Sequence, residues 1–326
     1  MIGGLDAVAV GELFGLPAGP ASLTPVARGA VGRIWRLDAA TGRYALKQLF
    51  GVPDLDAIGH EVAVTSHLAE AGVPLPRSRP ARDGRIAVGT PAGWLRLYDW
   101  VDGHPVDLTD PALPGRLGRL LGSLHANALP PVGTVDPWYE TAPDAATWRR
   151  LAGRAAADTA WGARLAASLD RIAELSALTG PMDPGSLVAC HRDLHPENVL
   201  VTAGGSWVPL DWEDLGPAAP DHELAKLLLD WLVTDGTADP AAVTATLAAY
   251  RAAGGRGRLP DERAFGMAIA GDLNFLQRQA TRALDPDTPR EHRDHATMEI
   301  ADSLDRLPDP ALLVRLVALD ADPAPR

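Results

Sequence analysis

Cysteine is almost absent: Cys190 is the only one in 326 residues. An intrachain disulfide is excluded, and a reducing, cytoplasmic setting is expected. Cys190 closes an apolar run that starts at Ser186. A buried, inert thiol is therefore expected there rather than a nucleophile. Positive charge is also scarce, with 30 Lys and Arg against 42 Asp and Glu, a formal net charge of −12. Such a chain repels phosphate backbones, so nucleic acid is not an expected partner, whereas a cationic small molecule is compatible. No run of about 18 uncharged apolar residues exists, so no membrane-spanning helix is expected. The first fifteen residues carry Asp6 and Glu12 and lack a basic start, which does not fit a signal peptide. Aromatics make up only 5%. The nine Trp are scattered without stacking periodicity, so packing is their expected role.

The rest of the composition is that of an ordinary globular protein, with 46% hydrophobic and 22% charged residues. The length suits two lobes with separate cores. Up to about residue 101 the chain shows short β-like runs, Leu23 to Val26, Gly32 to Leu37, Arg43 to Leu49, Ile86 to Val88 and Trp94 to Trp100. One helix is expected from Leu55 to Ala71, capped by Asp54 and stopped by Gly72. From 104 onward helical patterns dominate. They are broken by a β island: Leu187 to Cys190, Val199 to Thr202 and Trp207 to Leu210. The expectation is an α+β, bilobal chain. Its N-terminal lobe spans 1–101 as a five-stranded antiparallel sheet with one helix. A linker lies at about 98–103, and a mostly helical C-terminal lobe spans 104–326, with the active cleft between the lobes.

The β island carries the chemistry. His191-Arg192-Asp193-Leu194-His195-Pro196-Glu197-Asn198 joins its first two strands, and Asp211-Trp212-Glu213 follows its third. Loops between strands let polar groups converge on a ligand while the scaffold stays rigid. Phosphoryl transfer asks for positioning and charge neutralisation more than for covalent help. Asp193 suits the carboxylate that orients an attacking hydroxyl and takes its proton. Asn198 and Asp211 offer the hard oxygens that magnesium prefers.

The pattern H-x-D-x-x-x-x-N followed by a later Asp resembles the catalytic and metal loops of the kinase-like superfamily. His195, where protein kinases carry Lys, and Asp211-Trp212-Glu213, where they carry D-F-G, are similar instead to the aminoglycoside phosphotransferase family. Only Asp214 to Pro220 separates that triplet from the next helix, too short for a protein-substrate platform. The resemblance implies a protein-kinase-like fold, ATP or GTP as phosphoryl donor, and Mg²⁺. It implies that Tyr44-Ala45-Leu46-Lys47 is the strand ending in the phosphate-binding lysine, held by Glu61 on the following helix. It implies a phosphate loop around Gly29 and Gly32, and purine contacts from the backbone of the linker at Asp99 and Val101. Glu223-Leu224-Ala225 resembles an acidic-Leu-Ala element of the family, and His125 a helix position packed near the catalytic loop.

The implied acceptor is a hydroxyl on a small molecule, an aminoglycoside or another antibiotic first, and a metabolite such as choline, homoserine or methylthioribose second. Asp214, Asp221, Glu223 and Asp272 are the candidate contacts for a cationic acceptor. His191 and Glu213 are expected to brace their loops, and His195 either to assist near the phosphates or to be structural. No obligate protein partner is inferred. A rival from another class is a pseudokinase-like binding protein, against which the complete set Lys47, Glu61, Asp193, Asn198 and Asp211 argues.

Overall fold

The computed structural model describes residues 4–28, 32–155 and 159–321. It divides into two compact units. The first comprises 1–106 together with 196–215, and the second 107–195 together with 216–326. The first of these boundaries lies close to the expected division at 101–104, and the later segment 196–215 groups with the first unit.

The first unit opens with α1 (Ala7–Leu13), which Asp6 caps by accepting from the Ala9 N–H. This short helix was not expected, so the unit has two helices rather than one. Its sheet also has six strands rather than five. β1 (Ser22–Arg28), β2 (Gly32–Ala39) and β3 (Gly42–Leu49) form a meander, and β6 (Gly93–Asp99) continues it antiparallel to β3. β4 (Ser78–Arg79) and β5 (Val88–Thr90) both pair with β6. Leu37, Leu46, Leu95 and Leu97 point from this sheet into a core closed by Val10 and Phe14 near α1. Each such buried side chain contributes roughly 1.5–3 kcal/mol.

α2 (Leu55–Glu70) forms where the sequence indicates. The Asp54 carboxylate accepts from the Asp56 and Ala57 N–H groups, a cap worth about 1 kcal/mol. Ile58, Glu61, Val64 and Leu68 recur on its buried face. β7 (Gly103–Pro105) pairs with β9 (Val199–Thr202), which pairs with β10 (Trp207–Pro209). That ladder is why 196–215 belongs to the first unit.

The second unit is helical: α3 (Leu113–Ala126), α4 (Ala145–Ala155), α5 (Gly162–Ala167), α6 (Leu169–Ser176), α7 (Pro220–Leu232), α8 (Pro240–Ala252), α9 (Gly266–Leu284), α10 (Arg290–Arg306) and α11 (Pro310–Ala321). A two-stranded ladder, β8 (Val188–Cys190) with β11 (Gly216–Ala218), lies among them. α3 and α8 approach so closely that a Cβ on Gly118 would meet the Thr246 carbonyl, and one on Gly122 the Tyr250 carbonyl. Two glycines one turn apart therefore fix this helix pair, and with it the neighbours His125 and Tyr250. Among the described residues no helix is long and apolar enough to cross a membrane.

Candidate active site

The two halves of the sequence motif lie in different units, and each has its own geometry. In the second unit, β8 delivers the chain to His191 and Arg192, both buried. Arg192 adopts φ 66°, a left-handed conformation rare for a residue with a side chain. Hydrogen bonds over-determine this bend. The Arg192 N–H donates to Glu223 Oε1 (2.5 Å), the Asp193 N–H to His191 Nδ1 (3.2 Å), and Trp231 Nε1–H to the Leu194 carbonyl (2.8 Å). Three consecutive residues are pinned, and the Asp193 side chain is left about one-third exposed.

Glu223 is itself held. Its Oε2 lies 2.6 Å from His125 Nε2, and His125 Nδ1 lies 2.7 Å from Tyr250 Oη. Tyr250 Oη accepts from the Gly257 N–H (2.7 Å). The hydroxyl proton is then available to Nδ1, which leaves Nε2–H to donate to Glu223. Burial works against the Glu223 charge, but His125 and the Arg192 amide overcome it and hold the carboxyl down at about 2. Glu223 is 2% exposed with both oxygens engaged, which overturns the expectation that it contacts substrate. His125, Cys190 and Glu223 bring metal-ligand atoms within 4.8 Å of one another. Nε2 and both Glu223 oxygens already have protein partners, so the cluster reads as a brace.

The Asp193 carboxylate lies 3.6 Å from His195 Nε2. Burial opposes its ionisation, yet His195 and the Lys226 ammonium keep it below the usual carboxylate value. His195 is pulled down by burial, but Asp193 more than compensates and raises it. Lys226 on α7 pairs with Asp230 (2.7 Å) and is influenced by Asp272 and Asp193. The Asp272 carboxyl is pushed up to about 6, first by lost hydration and then by Asp230, against the pull of Lys226. Asp272 is exposed on α9. Asp221 accepts from the Arg258 N–H (2.7 Å), which gives it a loop-holding task. Lys226 and Asp230 were missed by motif reading. A signal existed: Lys47 and Lys226 are the chain's only lysines among 30 basic residues.

In the first unit, Lys47 lies near the end of β3, 6% exposed. Its Nζ lies 2.8 Å from Asp211 Oδ1 and 2.8 Å from Glu213 Oε2. Burial would lower the Lys47 ammonium, but the two carboxylates outweigh it and raise it. Burial, and then repulsion from Asp211, pushes the Glu213 carboxyl up against the pull of Lys47. Asp211 takes φ 56° and starts a 3₁₀ turn, Trp212–Asp214, locked by Trp212 Nε1–H donating to the Pro209 carbonyl. The Leu210 N–H donates to the Asn198 carbonyl (2.8 Å), so Asn198 and Asp211 leave adjacent strands at neighbouring positions. A carboxylate and an amide are the hard-oxygen donors that suit magnesium.

The expected Lys47–Glu61 pair is not formed. Glu61 is bidentate to Arg96, 2.7 Å to Nη1 and 2.8 Å to Nη2. The reason is register: β3 and β6 set Arg96 directly opposite Lys47, and the planar guanidinium captures both carboxylate oxygens. Gly32 starts β2, where a Cβ would lie 2.7 Å from the Gln48 carbonyl. Gly29 lies outside the described residues. Asp99 has its N–H committed to the Arg77 carbonyl and its carboxylate to Arg79, while Val101 follows the end of β6. Asp214 is exposed at the end of the 3₁₀ turn.

The sequence matches the APH phosphotransferase enzyme family over residues 22–265. The chain belongs to this family. No curated protein matches it significantly. Among solved structures it is similar to a spectinomycin phosphotransferase determined with ADP and spectinomycin, at 15% identity and a TM-score of 0.65, covering 95% of this chain and 96% of that one. A microcompartment-associated aminopropanol kinase shares 20% identity with a TM-score of 0.57, covering 92% and 93%. A choline kinase from Cryptosporidium parvum shares 12% with a TM-score of 0.55, covering 88% of each. At these identities the likeness establishes a small-molecule-kinase fold. With the family match it makes the chain a phosphotransferase enzyme.

Proposed function

We propose that this phosphotransferase moves the γ-phosphoryl group of ATP or GTP onto a hydroxyl of a small, amine-bearing acceptor. The observation that carries the reading is the contact of Lys47 with Asp211, beside Asn198, on the stretch of chain that continues directly from Asp193. Lys47 neutralises phosphate oxygens. Asn198 and Asp211 are the residues that would hold magnesium, which when bound supplies further neutralisation of the triphosphate. Asp193 orients the acceptor hydroxyl and accepts its proton as the new P–O bond forms. Gly29, Gly32, Asp99 and Val101 remain the proposed nucleotide contacts.

An amine-bearing acceptor is favoured by the carboxylates of Asp193, Asp230 and Asp272 around a single ammonium, Lys226. Asp214 and Asp221 remain outer candidates. An aminoglycoside or related antibiotic is the first choice. A small amino alcohol is the second, in keeping with neighbours named choline kinase and aminopropanol kinase. Incubation with ATP, GTP and Mg²⁺ against a panel of aminoglycosides, other antibiotics and amino alcohols, read by mass spectrometry, tests the reading. Phosphate should appear on one class of amine. Nucleotide binding without transfer to any compound would favour a non-catalytic binding protein.

A further inference from the structure

The link from β3 to α2 borders a hollow in the first unit. Gly51 and Pro53 break the strand pattern, and Asp54 then starts the helix. Residues 50–54 form one rim of a cavity of about 530 Å³. Its walls are largely apolar, with Leu49, Phe50, Val52, Ile58, Trp212 and Leu215 among them. Val52 and Phe50 are 83% and 51% exposed, so the entrance is apolar too. That size and lining suit a small molecule.

The cation in the cavity wall is Arg96, 1% exposed. Its Nη1 and Nη2 donate to Glu61, and the Tyr98 ring lies 5.0 Å from the guanidinium carbon. Its buried Nε–H has no hydrogen-bond partner among the described residues. A guanidinium keeps all its protons, so only an acceptor satisfies that group. Buried donors in folded proteins nearly always have one. Asp54, Glu61 and Glu213 also line the cavity, and together they repel an anion. An ammonium brings donors only, and Arg96 repels it at the same spot.

We infer that this cavity binds an uncharged, ring-sized apolar molecule whose carbonyl oxygen accepts from Arg96 Nε–H. The ring of such a ligand packs on the apolar walls, and one polar contact orients it. The site needs only Arg96 and those walls, whatever metal or nucleotide contacts Asp211 and Glu213 make, and it goes beyond the phosphoryl-transfer reading.

The test uses the full chain and four probes followed by ¹⁹F NMR: 4-fluoroacetanilide, fluorobenzene, 4-fluorobenzoate and 4-fluorobenzylamine. The neutral amide should bind about tenfold tighter than fluorobenzene, the gain from one hydrogen bond to a charged group. It should also bind tighter than the acid and the amine. The Arg96 Nε–H resonance, assigned by its loss in E61L/R96M, should move when the amide is added. E61L/R96M replaces the buried pair by apolar side chains and should level the amide with fluorobenzene. A57W and V52W start from exposed wall residues, leave the core untouched, and should each abolish amide binding. Saturating AMP-PNP with Mg²⁺ should not displace the amide. The inference is overturned if no probe binds, if fluorobenzene or a charged probe matches the amide, or if the Nε–H resonance stays still. Amide binding that survives both blocking variants, or that the nucleotide analogue displaces, also overturns it. So does a wild-type dimer in sedimentation that A57W dissolves, since the cavity would then be a contact for a second copy of the chain.

Discussion

Replacing Glu223 by Gln tests whether the buried brace behind Asp193 depends on charge. Glu223 carries its carboxyl at about 2, against 4.5 for an ordinary glutamate. That difference corresponds to about 3 kcal/mol of stability. Gln keeps an acceptor for the Arg192 N–H, but its NH₂ faces His125 Nε2–H, donor against donor. A loss of about 3 kcal/mol at pH 7 is expected, within the range for breaking a buried pair. For a unit of this size that is about 6–12 °C in the melting temperature. The sign with pH is fixed, because the folded value is depressed. The wild-type advantage is fully present above pH 4.5 and fades as pH falls toward about 2. Thermal denaturation followed by circular dichroism from pH 8 down to pH 3 reads both effects. At pH 7, kcat should fall more than KM rises, since the brace positions Asp193 rather than binding substrate. Equal melting temperatures of wild type and E223Q at pH 7, or a gap that widens on acidification, would refute the reasoning.

Further outcomes follow from the same geometry. Asp193→Ala should abolish turnover by removing the proton acceptor while AMP-PNP still binds; calorimetry beside a coupled assay separates the two, and retained turnover would refute the assignment. Lys226→Met removes a cation that helps keep Asp193 ionised, so the acid limb of the pH–kcat profile should move to higher pH; an unmoved limb would place Lys226 outside the electrostatics of Asp193. Gly122→Ala forces a methyl onto the Tyr250 carbonyl and should cost about 1–3 kcal/mol, read as a lower urea midpoint.

The candidate loop from His191 to Asn198 is legible in sequence because its residues are contiguous. Asp193 and Asn198 share one loop, and Asp211 follows one hairpin later, so the motif that carries the family resemblance stands within a short stretch of sequence. α2 is legible through Asp54 and the spacing of Leu55, Ile58, Val62 and Leu68, of which Ile58 and Leu68 are buried. The partner of Glu61 is not, because it depends on which residue of β6 lies opposite Lys47, and register is a long-range property. The same holds for 196–215, claimed by the first unit through pairing of Gly103–Pro105 with β9. Glu223 looks like an available charge in sequence, and only packing shows both its oxygens spent. α1 is too short and too weakly patterned to announce itself beside longer apolar runs.

The single thiol offers an experimental handle. Cys190 is 1% exposed, ends β8, and is followed at once by His191 and the pinned bend. Its Sγ faces the Ala218 carbonyl across the β8–β11 ladder, and burial pushes its ionisation well above the ordinary value. A thiol reagent therefore meets nothing to modify until that ladder parts. The rate at which the native enzyme consumes such a reagent is a clock for local opening at the root of the Asp193 loop, readable without any engineered label and silent to motion elsewhere in the chain.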